Sequence, residues 1–239
     1  MKSRWILAIV FFLIFGCLAM TLASPPADTG TITGKVTYTG TPPKPRPIDM
    51  SKEPACSMAH STPAMSQVVA TGPGNSLANV VVYVSAGDQG STAPSKAVKL
   101  DQKGCEYVPH VVVLQVGQVL EISNNDPASH NIQASSKINP SFNKGQPAGS
   151  APVEVKYDKP EFIHVKCNIH PWMSAWLAVV NTSHSAVTDQ DGAFRITGLP
   201  PGKYTLSAWQ EQAGLQTQEV TVGAGETKNV NFVLRVTPY

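Results

Sequence analysis

Charge is what this 239-residue chain has least of. Asp, Glu, Lys and Arg make up 14% of it, where a globular chain usually carries roughly 25%. Two of the cations, Lys2 and Arg4, sit at the extreme N-terminus, and without them basic and acidic residues stand equal at 16 each. No basic stripe or acidic tail is left to bind nucleic acid or an anionic membrane by bulk charge. Helix signals are missing as well. No segment combines caps with a 3.6-residue apolar period, and 18 Gly and 20 Pro divide the chain into short pieces. Disorder is excluded from the other side, because 42% of the residues are hydrophobic. The six histidines are scattered singly. Chain order supports no Ser-His-Asp or paired-carboxylate constellation, so an enzyme is not expected.

The N-terminus carries an export signal. Two positive charges in Met1–Trp5 precede a nearly unbroken apolar run from Trp5 to Met20. Thr21-Leu22-Ala23 then supplies the small residues of a cleavage site, which makes 1–23 a signal peptide. Two alternatives stay open: a lipid anchor on Cys17, or an uncleaved apolar run as a membrane anchor. Each places the functional part outside the cytoplasm, periplasmic or secreted, with a membrane involved only through that anchor. Three cysteines then remain, Cys56, Cys105 and Cys167, an odd number for an oxidising compartment. Spacing alone does not fix connectivity. The neighbours of Cys167 mark it as a special thiol, so Cys56 with Cys105 is the expected disulfide.

What remains reads as short strands. Thr31–Tyr38 alternates apolar and polar residues before a proline-rich stretch over Thr41–Ile48, and Met50–Met65 has no period and reads as a loop. Val80–Val84 is a continuous β-branched run of the kind buried on both faces. Further strands are expected at Ala97–Leu100, Val111–Val116, Val119–Ser123, His130–Gln133, Val153–Tyr157, Phe162–Cys167 and Ala175–Val180, with Ile138–Gly149 as a long loop. This spacing suits an antiparallel sandwich. From Ser185 the chain turns more often. The segments T-D-Q-D-G-A-F-R-I at Thr188–Ile196 and G-L-P-P-G-K-Y-T-L at Gly198–Leu206 are each a strand end, a tight turn and a strand.

Those two segments resemble the carboxypeptidase regulatory-like repeats of the transthyretin-like, or carbohydrate-binding-like, sandwich class. In such repeats a G-x-I-x-G-x-V strand and an apolar strand come first, and Gly30–Val36 and Asn79–Val84 fit those roles far upstream. The resemblance implies that about Lys96 to Val180 is inserted in the repeat; a plain tandem order is the alternative.

One motif carries chemistry. Cys167-Asn168-Ile169-His170-Pro171-Trp172-Met173 puts a thiolate, an imidazole and a thioether within one loop at the end of a strand, and His130 opens another apolar segment. Two imidazoles and a thiolate in a plane with a weak axial thioether are the ligands of a blue-copper electron-transfer site. The Cys-x2-His-x2-Met loop with Pro after the His, together with His130-Asn131 upstream, resembles the cupredoxins, amicyanin and plastocyanin among them. That resemblance implies one copper ion held by His130, Cys167, His170 and Met173, with Asn131 tethering the ligand loop. It also implies electron transfer through a solvent-facing edge of His170, with redox proteins as donor and acceptor.

The expected protein is therefore all-β, a cupredoxin Greek-key β-sandwich joined to a small transthyretin-like sandwich. Its parts are a β segment at 24–95, a copper domain at 96–181 and a regulatory-like sandwich at 182–239. The expected function is one-electron transport. Alternatives are copper storage or delivery, using Met58, His60 and Met65, and a surface or glycan-binding module with an incidental metal. Zinc is disfavoured by the thioether, and a binuclear centre by the single loop cysteine. His164 is expected on the surface, His110 beside the disulfide, and Trp176 in the core. Asp189-x-Asp191-Gly192 is expected to be a hairpin turn.

Overall fold

The computed structural model describes residues 28–42, 44–88, 90 and 92–236. The expected signal peptide and Cys17 lie outside them. The described chain is all-β, with one α-helical turn at Pro54–Ser57. Alternation decides which residues are buried. In Gly30–Thr39, Ile32 and Val36 point inward and Lys35 outward, as a strand with one covered face requires.

Two sandwiches result. One packs a five-stranded sheet, ordered Phe142–Gln146, His130–Ser135, Glu161–Lys166, Ser174–Val180 and Val111–Gln115, against a four-stranded sheet. The latter runs Val153–Val155, Leu120–Asn124, Val98–Gln102 and Tyr107–Val108. Leu100, Leu120 and Ile122 meet Ile132, Ile163, Val165 and Leu177 between them. The other sandwich draws strands from both ends of the chain. Gly30–Thr39 pairs antiparallel with Ala193–Leu199 and parallel with Thr227–Asn229 and Phe232–Arg235. Facing this sheet, Val81–Ala86 lies between Ser185–Val187 and Gly202–Gln210, which in turn pairs with Gly214–Val222. The core between them holds Ile32, Leu77, Val82, Leu206 and Phe232.

A third apolar layer joins the sandwiches. Val82 and Val84 point into the second core, whereas Val81 and Tyr83 point out of it toward Val111, Phe162 and Ala178. This strand is covered on both faces because it serves two cores, which explains its unbroken β-branched run. Trp209 stacks on Phe162 at a centroid distance of 4.2 Å and meets Trp176 edge-on at 5.1 Å. Polar groups line the same joint. His110 Nε2 lies 2.6 Å from Glu211 Oε1, and Trp176 Nε1–H donates to Glu211 Oε2 at 2.8 Å.

Four expectations are corrected here. Phe142–Gln146 is a strand, not part of a loop, though its only fully buried residue is Gln146. His110 packs at the joint with its Nδ1 3.1 Å from the Ser174 carbonyl oxygen, not at the disulfide. His164 is half-buried rather than on the surface, 2.8 Å from Ser174 Oγ and stacked on Trp176. Trp176 lies at the joint between the sandwiches rather than inside either core. The Asp189–Gly192 segment is a turn, with Asp189 Oδ1 accepting from Asp191 N–H and Ala193 N–H. Gly192 has φ +69°, and a Cβ there would stand 2.4 Å from the Val36 carbonyl oxygen, so only glycine fits.

Glu161 ties the segment before Phe142 to its neighbouring strand. Its carboxylate accepts from Ser136 Oγ, from the backbone N–H of Lys137, Ile138 and Asn139, and from Asn139 Nδ2. Desolvation raises its pKa, but these bonds outweigh that and bring it to about 2, from an ordinary value of 4.5. A carboxyl depressed in the folded state adds stability above its unfolded pKa and loses it as pH falls through the folded one. Thermal melts of wild type and Glu161→Gln are therefore expected to differ at neutral pH and to converge between pH 4.5 and about 2. Parallel curves over that window would remove the assignment.

Candidate metal centre

The strand Glu161–Lys166 buries Ile163 and Val165 on its core face, and Cys167 follows on that face, also buried. The strand pairs antiparallel with Ser174–Val180, Lys166 opposite Ser174, so residues 167–173 form a hairpin connection. Cys167 N–H donates to the Met173 carbonyl at 3.2 Å, and Met173 N–H to the His170 carbonyl at 3.0 Å. These bonds fold the loop back on itself, which is how the spacing of Cys167, His170 and Met173 gathers them at one end of the sandwich. His130 begins the neighbouring strand His130–Ser135. All four side chains are buried.

His130 Nδ1 and His170 Nδ1 face each other at 2.9 Å, and Cys167 Sγ lies 3.9 Å from His170 Nδ1. One donor atom from each of the three residues falls within 4.8 Å of the others. Asn131 spans from the His130 strand to the loop. Its Oδ1 accepts from Asn168 N–H at 2.6 Å and lies 3.4 Å from Cys167 Sγ, while its Nδ2 donates to Asn143 Oδ1 at 2.8 Å.

Asp126 belongs to the site although sequence reasoning passed it over. Its Oδ2 lies 2.8 Å from His130 Nε2, and the carboxylate also accepts from Gly104 N–H and Cys105 N–H. The available signal was a carboxylate four residues before the histidine, in a Ser-Asn-Asn-Asp-Pro turn. A proton held on Nε2 by Asp126 leaves the Nδ1 lone pair of His130 aimed at Cys167 and His170.

Electrostatics follow from burial and these contacts. Burial pushes the Cys167 thiol up, but bonds from His130 and from backbone N–H groups outweigh it and hold the thiol below its ordinary value. Burial lowers His130, yet Asp126 and Cys167 raise it further, to about 9. His170 is lowered by burial and by the neighbouring His130. The site thus eases loss of the Cys167 proton beside a His130 that holds its own and a His170 that resists gaining one.

The donor set fits one soft cation. Bonds of about 2.0 Å to nitrogen and about 2.3 Å to sulfur put donors of one ion roughly 3.5 to 4 Å apart; the sulfur-to-nitrogen distance of 3.9 Å meets that spacing, and the two Nδ1 atoms at 2.9 Å would part by about half an ångström to admit the ion. No backbone carbonyl competes for either Nδ1 among the bonds described. Met173 is packed into the core beside Cys167.

A disulfide joins Cys56 to Cys105, as the cysteine count suggested, and Cys167 is free. Its position overturns one expectation. His170 has no solvent-facing edge: it is 2% exposed, and its Nε2 lies 3.9 Å from Cys56 Sγ. The segment from Met50 to Met65, read as a periodless loop, covers it. Trp172 completes this cover, with its ring centroid 5.1 Å from that of His170 and its Nε1–H donating to the Cys105 carbonyl at 3.0 Å. Of the Met58, His60 and Met65 group, Met58 is 80% exposed, while His60 Nε2 lies 2.6 Å from the Gly104 carbonyl oxygen.

Comparison with known proteins gives partial likenesses only. No curated protein matches the chain. A Cu-containing nitrite reductase (NirK) from Thermus scotoductus SA-01 is similar at 21% identity and a TM-score of 0.33, over 41% of this chain and 25% of that one. The chain thus spans a quarter of the reductase's length. A purple cupredoxin from Nitrosopumilus maritimus is similar at 20% identity and a TM-score of 0.30, over 34% of this chain and 97% of its own. An oxidised amicyanin mutant is similar at 16% identity and a TM-score of 0.32, over 35% and 81%. Residues 171–235 match the family model of the carboxypeptidase regulatory-like domain.

Proposed function

We propose that the protein is an exported carrier of single electrons, with one copper ion held by His130, Cys167, His170 and Met173. The observation that carries this reading is the convergence of one nitrogen from each of two imidazoles and one cysteine sulfur within 4.8 Å, in three buried residues. A thiolate with two imidazoles and a thioether suits both copper oxidation states, and copper supplies the one-electron couple. The chain's own residues do the rest. The hairpin bonds fix Cys167 against Met173, Asp126 sets the tautomer of His130, and Asn131 ties the loop to the adjacent strand. The cover of residues 50–65 excludes water. Donor and acceptor proteins meet the surface of this cover and Trp172 rather than the imidazole of His170. Storage of copper is the weaker alternative, because His60 is occupied by the Gly104 carbonyl.

The test is a visible spectrum of the mature protein with one equivalent of Cu(II). An intense thiolate-to-copper band near about 600 nm is expected in wild type and absent in Cys167→Ser. No such band in wild type would end the carrier reading. Loss of the supporting contacts should be graded rather than total. Asn131→Ala and Asp126→Ala are each expected to weaken metal affinity about 10- to 100-fold, measured by competition with a chelator. An unchanged affinity in both would remove their assigned role.

A further inference from the structure

Each imidazole of the centre has a second nitrogen, that of His170 facing the disulfide and that of His130 facing Asp126. His170 Nε2 lies 3.9 Å from Cys56 Sγ, and His130 Nε2 lies 2.8 Å from Asp126 Oδ2. Donor atoms of Cys105, Asp126 and His130 fall within 4.8 Å of one another, and all three residues are buried. The carboxylate is already oriented, because Gly104 N–H and Cys105 N–H donate to it at 2.6 and 2.7 Å. Oxidised sulfurs are poor ligands, whereas two thiolates in this place would complete a soft donor set.

We propose that reduction of the Cys56–Cys105 disulfide unmasks a second metal site, formed by the two thiolates and Asp126 on the outer side of the imidazole pair. The ion class is a soft d10 cation, zinc or Cu(I), which thiolates select. This goes beyond the copper carrier reading and meets it at the imidazole pair and at Asp126, which orients His130 in the first centre and would be a ligand in the second. The reductant is a dithiol. Its two S–H groups become a disulfide, the Cys56–Cys105 bond breaks, and the two hydrogens end on Cys56 and Cys105. Two electrons move and no other reactant is needed. Each thiol then releases its proton to solvent on binding the ion.

The way in runs through the cover. Cys56 lies in the single helical turn Pro54–Ser57, which has no side-chain cap and whose other residues are not buried. A turn this short opens locally without unfolding the sandwich beneath it. The cysteines sit 5.4 Å apart at Cα, so their sulfurs can flank one ion after the bond is cut.

The experiment uses the mature Cys167→Ser chain, which lacks the thiolate of the first centre, and Zn(II) as the probe. Zinc retained after gel filtration is counted before and after anaerobic reduction with a phosphine, and free thiols are titrated in parallel. The disulfide form is expected to hold no zinc, and the reduced form one equivalent. Asp126→Asn in the reduced form is expected to weaken that binding by at least about tenfold. Reduction that yields two thiols but no additional zinc overturns the site. So does additional zinc that Asp126→Asn leaves unchanged, because an opened chain would bind through its cysteines alone. The copper reading is scored separately, on wild-type protein with the disulfide intact.

Discussion

Replacing Cys56 and Cys105 together by alanine is expected to lower stability by about 4 kcal/mol. The bond closes a sequence separation of 49 residues, and tethering a loop of that length removes entropy from the unfolded chain in proportion to the logarithm of its size. Other ties would survive the change. Ile48 N–H donates to the Ala64 carbonyl and Ser66 N–H to the Arg46 carbonyl, which closes the neck of the covering segment. His60 still reaches Gly104, and Trp172 still donates to the Cys105 carbonyl. The double variant should therefore fold, with its cover loosened and its sandwiches intact. Urea denaturation measures the stability difference. A second readout belongs to the site itself: in the metal-free protein His170, 2% exposed in the intact structure, should become reactive toward an imidazole-acylating reagent. A loss below about 1 kcal/mol, with His170 still protected, would mean that packing rather than the crosslink holds the cover.

How much of this was legible in the sequence depends on the range of the interaction. Strands whose faces alternate, such as Gly30–Thr39 and Leu120–Asn124, announce themselves locally because burial follows the two-residue period. The candidate ligand loop is equally local, since Cys167, His170 and Met173 sit within seven residues. Phe142–Gln146 was invisible because it pairs only with His130–Ser135 and leaves its middle residues exposed, so it carries no apolar alternation. The cover over His170 was invisible for a different reason. Cys56 and His170 are 114 residues apart, and a segment without a period says nothing about what it lies on. The cysteine count pointed to the disulfide, yet only the fold reveals that it stands against an imidazole. Glu211 was passed over in the same way. It meets His110 across 101 residues and Trp176 across 35, contacts that no local pattern encodes.

The joint between the sandwiches makes the second large prediction. Each sandwich has its own core, and they meet through Val81, Val111 and Ala178 with a surrounding ring of aromatic residues. Trp209 is central to that ring, stacked on Phe162 and edge-on to Trp176. Truncating a core Trp to alanine costs about 3 to 5 kcal/mol, and Trp209 is only half-buried, so Trp209→Ala should sit near the lower figure. The way the energy is lost matters more than its size. Ala208, the preceding residue, points into the second core and is untouched by the change, so that core keeps its own packing. The weakened layer is the one through which unfolding of one sandwich is felt by the other. Wild type is expected to melt in a single cooperative step, and Trp209→Ala in two resolved steps, measured by calorimetry. In copper-loaded protein, the absorption expected under the proposed function should follow the step that belongs to the sandwich carrying Cys167. One step in the variant, shifted as a whole, would show that the polar contacts of Glu211 with His110 and Trp176 couple the sandwiches without Trp209.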